Sequence, residues 1–385
     1  AELLGHWRGV LMKAGQILSM VDAGSMGTGG FDPYQKALAR LQADAPPMHR
    51  DLVHEVLASE IGSTAEHFVD FDDEPLAAAS IGQVHRAIWK DGREVAVKIQ
   101  YPGAAEAMLS DLNQLARVMR VSTSWVPGLD VVPILDELRA RMSEETDYRL
   151  ESVMQEQFVD AYEGVDHFAL PGVIYATDLV LVTDWIEGQP LSRIIADGST
   201  EERDLASRRY LEFLLGGPQQ AGLLHADPHP GNFRLLDDGR LGVLDFGAVN
   251  RLPDGLPPVL GELASLALAD DAEGLLELLR DAGFVKSSIS IDADRLLDYL
   301  GVFIEPLRTE EFEFSRDWLR SVFAYINDPR SSQFTVGLRL NLPPEFLLIH
   351  RTWLGGIAVL CQIGGTVPAR EIFEDNVPGA KFPAL

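Results

Sequence analysis

The residues best suited to chemistry sit in one stretch, Leu224-His225-Ala226-Asp227-Pro228-His229-Pro230-Gly231-Asn232, with Asp245-Phe246-Gly247 beginning thirteen residues after Asn232. Asp227 can receive or orient the proton of an acceptor group. Asn232 and Asp245 offer hard oxygen donors of the kind Mg2+ takes beside phosphates. Phosphoryl transfer asks mainly for positioning and charge neutralisation, which a loop and a neighbouring strand end can supply. A polar loop whose Asp and Asn only cap turns is the plain alternative. Six fixed residues at this spacing coincide by chance on the order of once in ten million registers, which weighs against it.

The pattern H-x-D-x-x-x-x-N followed by D-F-G resembles the catalytic loop and metal site of protein kinases. Upstream, Val95-Ala96-Val97-Lys98 resembles the kinase V-A-I-K, whose Lys bridges α- and β-phosphates and pairs with a helix Glu. Val/Lys alternation alone also describes any half-exposed strand; its place ahead of the downstream set gives it weight. His225 reads as a brace for the loop rather than a reacting group. His229 reads as loop packing or substrate-facing, because no Cys or His at metal spacing accompanies it. Where a kinase lays a glycine-rich loop over the phosphates, this chain has Ala77-Ala78-Ala79-Ser80-Ile81-Gly82-Gln83-Val84. The added Cβ atoms restrict positive φ and keep the backbone away from phosphate oxygens, so nucleotide placement should differ.

Together with Lys13-Ala14-Gly15-Gln16 and Glu145-Thr146-Asp147-Tyr148-Arg149-Leu150-Glu151, these residues make the chain resemble the UbiB/AarF family of atypical kinases over about residues 3–360. The K-x-G-Q motif with the alanine loop is the specific part; H-x-D-x-H-P-x-N alone suits aminoglycoside-type small-molecule kinases equally. The resemblance implies an α+β, protein-kinase-like two-lobe fold: a helical extension at 1–68, an N-lobe with inserted helices at 69–186 and a helical C-lobe at 187–385. It implies Mg·ATP between the lobes, with Ala77, Ala78, Ala79, Ser80 and Gln83 at the nucleotide loop and Lys98 on the phosphates. The backbone of Asp184 and Ile186 would receive adenine beside Thr183, Asn232 and Asp245 would hold Mg2+, and Asp227 would serve the acceptor. Lys13 and Gln16 would lie over the cleft, which disfavours protein phosphorylation. Glu145 and Glu151 point roughly 240° apart on a helix, so each can serve only one partner. Glu151 is favoured for Lys98, leaving Glu145 and Asp147 near Lys13; a solvated acidic helix face is the alternative. The implied function is an atypical kinase or ATPase in isoprenoid-quinone or other lipid-linked metabolism, although nothing in composition or spacing shows quinones. A small-molecule kinase and a nucleotide-gated binding or chaperone-like module are the alternatives.

The 385 residues suggest two or three packed units, and 46% hydrophobic with 24% charged residues excludes a mainly disordered chain. Lys+Arg 32 against Asp+Glu 59 gives 32 − 59 = −27, a surface that repels phosphate backbones and excludes nucleic acid as an expected partner. The single cysteine, Cys361, allows no intrachain disulfide and fits a reducing cytosol. The expected location is cytoplasmic, with peripheral contact at the inner face of a membrane. The chain opens Ala1-Glu2-Leu3, so an excerpt of a longer protein is expected. The apolar window at 346–367 has an uninterrupted core of only 353–361, short of the ~20 residues a membrane helix needs, and predicts a buried helix.

The elements that must position the site follow from periodicity and punctuation. Helical spacing predicts helices at 3–20, 33–43, 50–61, 104–121 and 133–162. Residues 76–89 and 94–100 read as two strands joined by an Asp91-Gly92 turn, and further strands are expected at 172–175 and 179–184. After Leu191 helices dominate, interrupted by strands at 233–236 and 241–244 around Asp237-Asp238-Gly239.

Overall fold

The computed structural model describes residues 47–385, apart from 79–80, 108, 111–112, 114–145 and 329. Lys13, Gln16, Ala79, Ser80, Glu145 and the helices expected at 3–20 and 33–43 lie outside the described residues.

The first described helix, α1 (Arg50–Ile61), ends at Gly62, whose φ of 81° a residue with a Cβ adopts only with strain. A single turn, α2 (Thr64–His67), leads into β1 (Phe68–Phe71), β2 (Ala77–Ala78), β3 (Gly82–Trp89) and β4 (Glu94–Gln100). The single strand expected at 76–89 is thus two strands, with Ala77 opposite Val84 and Ala78 opposite Gln83. The Asp91-Gly92 turn sets the pairing of β3 with β4, Val84 opposite Lys98 and His85 opposite Val97. After α3 (Tyr148–Ala161) and β5 (Phe168–Ala169), β6 (Val173–Ala176) and β7 (Val180–Asp184) complete an antiparallel sheet in the order β1-β3-β4-β7-β6, with β2 on β3.

Side chains alternate across a strand, so this register sorts the sheet into two faces. Val84, Lys98 and Leu181 form one row, joined by Arg86, Ala96 and Thr183. The opposite face carries Val97, Ile99, Val180 and Val182, which bury against Val53, Val56, Leu57 and Ile61 of α1. One face is core; the other faces the cleft.

The second half begins with β8 (Gln189–Pro190), α4 (Leu191–Asp197) and α5 (Thr200–Ala221). Ser199 and Glu202 close a capping box at the start of α5, and Gly222 ends it in the left-handed conformation. Then come β9 (Leu223–His225), a 3-10 turn at Pro230–Asn232, β10 (Phe233–Leu235), β11 (Leu241–Val243) and β12 (Val249–Arg251). Helices from Val259–Leu268 to Ala369–Asn376 follow; Leu347–Ile363 and Ala369–Asn376 join α3 and α5 in the main apolar core, while Val259–Leu268, Ala272–Asp281 and Ala293–Gly301 bury a separate one.

The apolar window forms the helix Leu347–Ile363. With the preceding turn it makes a run, Pro344–Ile363, of membrane-spanning length and composition. Ile349, Leu360, Cys361 and Ile363 are nevertheless buried in the main core, where the helix packs on α5. The described residues thus form a sheet-rich half and a helical half, with the sequence motifs at their junction.

Candidate functional site

The hairpin of β10 and β11 explains how residues thirteen apart meet. Phe233 pairs with Val243 and Leu235 with Leu241 around Gly239, whose φ is 84°. The next step of that ladder sets Asn232 against Leu244, whose N–H donates to the Asn232 carbonyl at 2.9 Å. Asp245 therefore emerges beside Asn232. On the other side β12 pairs with β9, His225 opposite Val249, and Ala226 N–H donates to Ala248 O at 2.9 Å. The Asp227 loop and the Asp245 turn are two ends of one hydrogen-bonded frame.

His225 braces that frame. Its Nε2 lies 2.5 Å from the Asp245 carbonyl, an acceptor only, so Nε2 carries the proton and donates. The ring is 3% exposed and packs among Phe158, Phe213, Phe233 and Phe246. Phe246 of the D-F-G turn is itself 1% exposed against Phe158 of α3, which ties the turn to that helix. Tyr210 of α5 donates to Pro228 O at 2.8 Å, and Asp227 Oδ1 accepts the His229 N–H. The His229 ring, exposed, accepts from Gly231 N–H and caps the 3-10 turn, a local packing role.

Across the cleft, α3 is capped by Asp147, whose carboxylate accepts the N–H groups of Arg149 and Leu150. One turn later Glu151 points at the sheet. Lys98 Nζ donates to both Glu151 oxygens at 2.9 Å and to Asp245 Oδ2 at 3.2 Å. Glu151 is 2% exposed at its side chain, Lys98 15% and Asp245 37%, so the triad runs from the core to the open cleft. Burial pushes the Glu151 carboxyl up, and the Lys98 charge only partly offsets it. Burial would lower the Lys98 ammonium, but Asp245 and Glu151 outweigh it and hold it well above its usual value. Asp245 moves the other way: against burial, Lys98 and the Gly247 N–H at 2.9 Å keep it below the ordinary carboxylate value.

The remaining expected residues divide. Thr183 lies on the cleft face, while Asp184 donates its N–H to Gly172 O and uses its carboxylate on Gly172 N–H and Arg93. Among the described residues no acceptor takes the Ile186 N–H. Gln83 departs from the expectation. It is 1% exposed and lies on the α1 face of the sheet, with its amide bonded to Met48 N–H and His85. Its side chain cannot reach the cleft, because odd-numbered residues of β3 sit opposite Ile99 and Val97, one step out of phase with Lys98. Val84 and Ala96 are the cleft-facing residues the motif reading passed over, and their parity with Lys98 was the available signal. Gly82 allows a close approach: a Cβ there would lie 2.1 Å from the Ile99 carbonyl oxygen.

The ABC1 atypical kinase-like domain matches residues 40–279, well over half of the chain. The chain belongs to the ABC1 atypical kinase-like family. The UbiB/AarF resemblance therefore holds, and with it the kinase-like fold. Among its relatives are atypical kinase coq-8, mitochondrial, of Caenorhabditis elegans, 30% identical over 96% of this chain and 49% of that protein. Atypical kinase COQ8, mitochondrial, of Saccharomyces cerevisiae is 28% identical over 96% of this chain and 73% of its own. The solved Rv3197–erythromycin complex from Mycobacterium tuberculosis is similar at 39% identity and a TM-score of 0.79, covering 96% of this chain and 92% of that one. The chain spans about half the length of the first curated relatives it matches.

Asn232 and Asp245 offer oxygen atoms of the kind that Mg2+ takes beside phosphates. Asn232 uses its Nδ2 on the Asp227 carbonyl, leaving Oδ1 to a ligand, and Asp245 is the most exposed member of the triad. Among the described residues no group of three or more His, Cys, Asp or Glu side chains could hold a metal alone, so water and phosphate oxygens would complete the shell.

Proposed function

We propose that this chain binds Mg·ATP in the cleft and uses it as an atypical kinase or ATPase in isoprenoid-quinone or other lipid-linked metabolism. The observation that carries the reading is Lys98 held between Glu151 on α3 and Asp245 of the D-F-G turn. A cation anchored to a buried carboxylate is oriented to meet phosphates. Asp245, partly open, would exchange Lys98 for Mg2+. Asn232 and Asp245 would hold the ion, which would neutralise phosphate charge as it builds. Asp227 would orient the acceptor, and the brace at His225 would keep it in register with Asp245. The family motif implies that Lys13 and Gln16 would lie over the cleft, which would disfavour protein acceptors.

The relatives named as COQ8 atypical kinases support the quinone-linked class. A second reading, a nucleotide-gated binding module for a bulky small molecule, draws support from the relative solved with erythromycin. ATP turnover with and without lipid vesicles carrying an isoprenoid quinone precursor separates them. Stimulated hydrolysis or labelled lipid supports the first. Nucleotide-dependent ligand binding with no turnover supports the second.

A further inference from the structure

Gln83 and His85 make a buried polar relay with no place in the cleft chemistry. Met48 N–H can only donate, so it meets Gln83 Oε1, at 2.8 Å. That turns the Gln83 NH2 toward His85 Nε2 at 2.7 Å, which must be bare to accept it. His85 Nδ1 then keeps the proton and donates to the Asp72 carbonyl at 2.8 Å. Every bond runs in one direction, and only the neutral Nδ1–H form of His85 completes the series. Gln83 is 1% and His85 0% exposed, and the imidazole stacks on Phe71 at 5.0 Å. Water cannot replace a lost partner there.

We propose that Gln83 and His85 form a proton-sensitive latch holding the backbone at Met48, where the chain enters α1, against the strand that leaves the nucleotide loop. Gln83 follows Gly82 directly, and Gly82 lies against Ile99 with no room for a side chain. The latch therefore fixes the start of β3 from behind, and Gln83 is a positioning residue; this link to nucleotide rests on the function proposed above. A proton on His85 Nε2 sets donor against donor. The Gln83 amide can flip to offer its oxygen to the imidazolium, but its NH2 then faces the Met48 N–H, so the hold on Met48 is lost. Burial opposes that proton most strongly, and the carbonyl and charge of Asp72 and the charge of Asp73 favour it. His54 of α1, 2.7 Å from Asp73 Oδ1, works against it. The balance lies below the ordinary 6.5, so the latch is whole above that pH and opens as pH falls through the lowered value.

The test is amide exchange at Met48 in the intact chain, corrected for intrinsic rates, with His85 protonation followed by 15N-histidine NMR. In wild type, protection should fall at least about tenfold as the imidazole protonates, while the β4 amides hold. Gln83→Leu should lack that protection at every pH. Gln83→Glu should keep it in acid, because a carboxylate accepts from both Met48 N–H and the imidazolium, and should raise the His85 titration. The dissociation constant of Mg·ADP on the same samples should rise severalfold as the latch opens. Unchanged Met48 protection with His85 protonated, or Gln83→Glu as unprotected as Gln83→Leu in acid, would overturn the latch. Exchange as expected with nucleotide affinity unmoved would overturn its positioning role. No nucleotide binding under any condition would instead defeat the proposed function, and the exchange result would still decide the latch.

Discussion

Replacing Lys98 by Met should expose the cost of Glu151 in a way that pH can switch. Glu151 is 2% exposed at its side chain, and its charge is matched by an ammonium 2.9 Å away. Removing one partner of a buried pair typically costs about 3–5 kcal/mol, because the survivor keeps a desolvated charge. Asp245 is also freed but is 37% exposed, so water screens it and it should add little. A stranded Glu151 can escape by binding a proton, and burial already holds its carboxyl above the ordinary 4.5. Without Lys98 it must rise further. A carboxyl raised in the folded state loses nothing where both states are protonated, and the loss grows as pH climbs from the unfolded value through the folded one. Urea unfolding of wild type and Lys98→Met should therefore differ by about 3–5 kcal/mol near pH 8 and by less than half of that near pH 5. Equal losses at both pH values, or under about 1 kcal/mol near pH 8, would show that Glu151 is not a stranded buried charge.

Gly82→Ala places a Cβ 2.1 Å from the Ile99 carbonyl oxygen, so the β3–β4 backbone must shift. A loss of about 1–3 kcal/mol by thermal unfolding, with weaker nucleotide binding, is expected; wild-type stability would contradict the packing. Burial pushes the Cys361 thiol up to about 12, so iodoacetamide should leave it unlabelled near pH 8 until the protein unfolds. Rapid native labelling would place it outside the core. If Asp227 serves the acceptor, as proposed, Asp227→Asn should abolish turnover while leaving the Mg·ADP dissociation constant within about twofold. Loss of both would reassign it to the nucleotide.

Much of the site was legible because its spacing is set by local structure. The interval between Asn232 and Asp245 is a hairpin with Gly239 at its turn, and the motif names both ends. Helix geometry said only that Glu145 and Glu151 could not share a partner; the choice of Glu151 leaned on the family resemblance, and the structure pairs Glu151 with Lys98. Helix 50–61 ended where Gly62 said it would. Gln83 was misread although the information was present: the Asp91-Gly92 turn fixes Val84 opposite Lys98, and alternation then sends Gln83 to the other face. The aromatic shell around His225 was not legible, because Phe158, Phe213, Phe233 and Phe246 come from four separate segments and converge only on packing. Short strands such as β5, β8 and β12 were missed because two or three residues carry no readable period.

The central claim is that Asp245 and Lys98 hold a metal-bound nucleotide. Calorimetric titration of the intact chain with ADP, with and without Mg2+, in wild type and Asp245→Asn tests it most directly. Binding strengthened by Mg2+ in wild type, with the Mg2+ effect lost in Asp245→Asn, is the predicted result. Absent binding, or a Mg2+ effect that survives unchanged in Asp245→Asn, would contradict it.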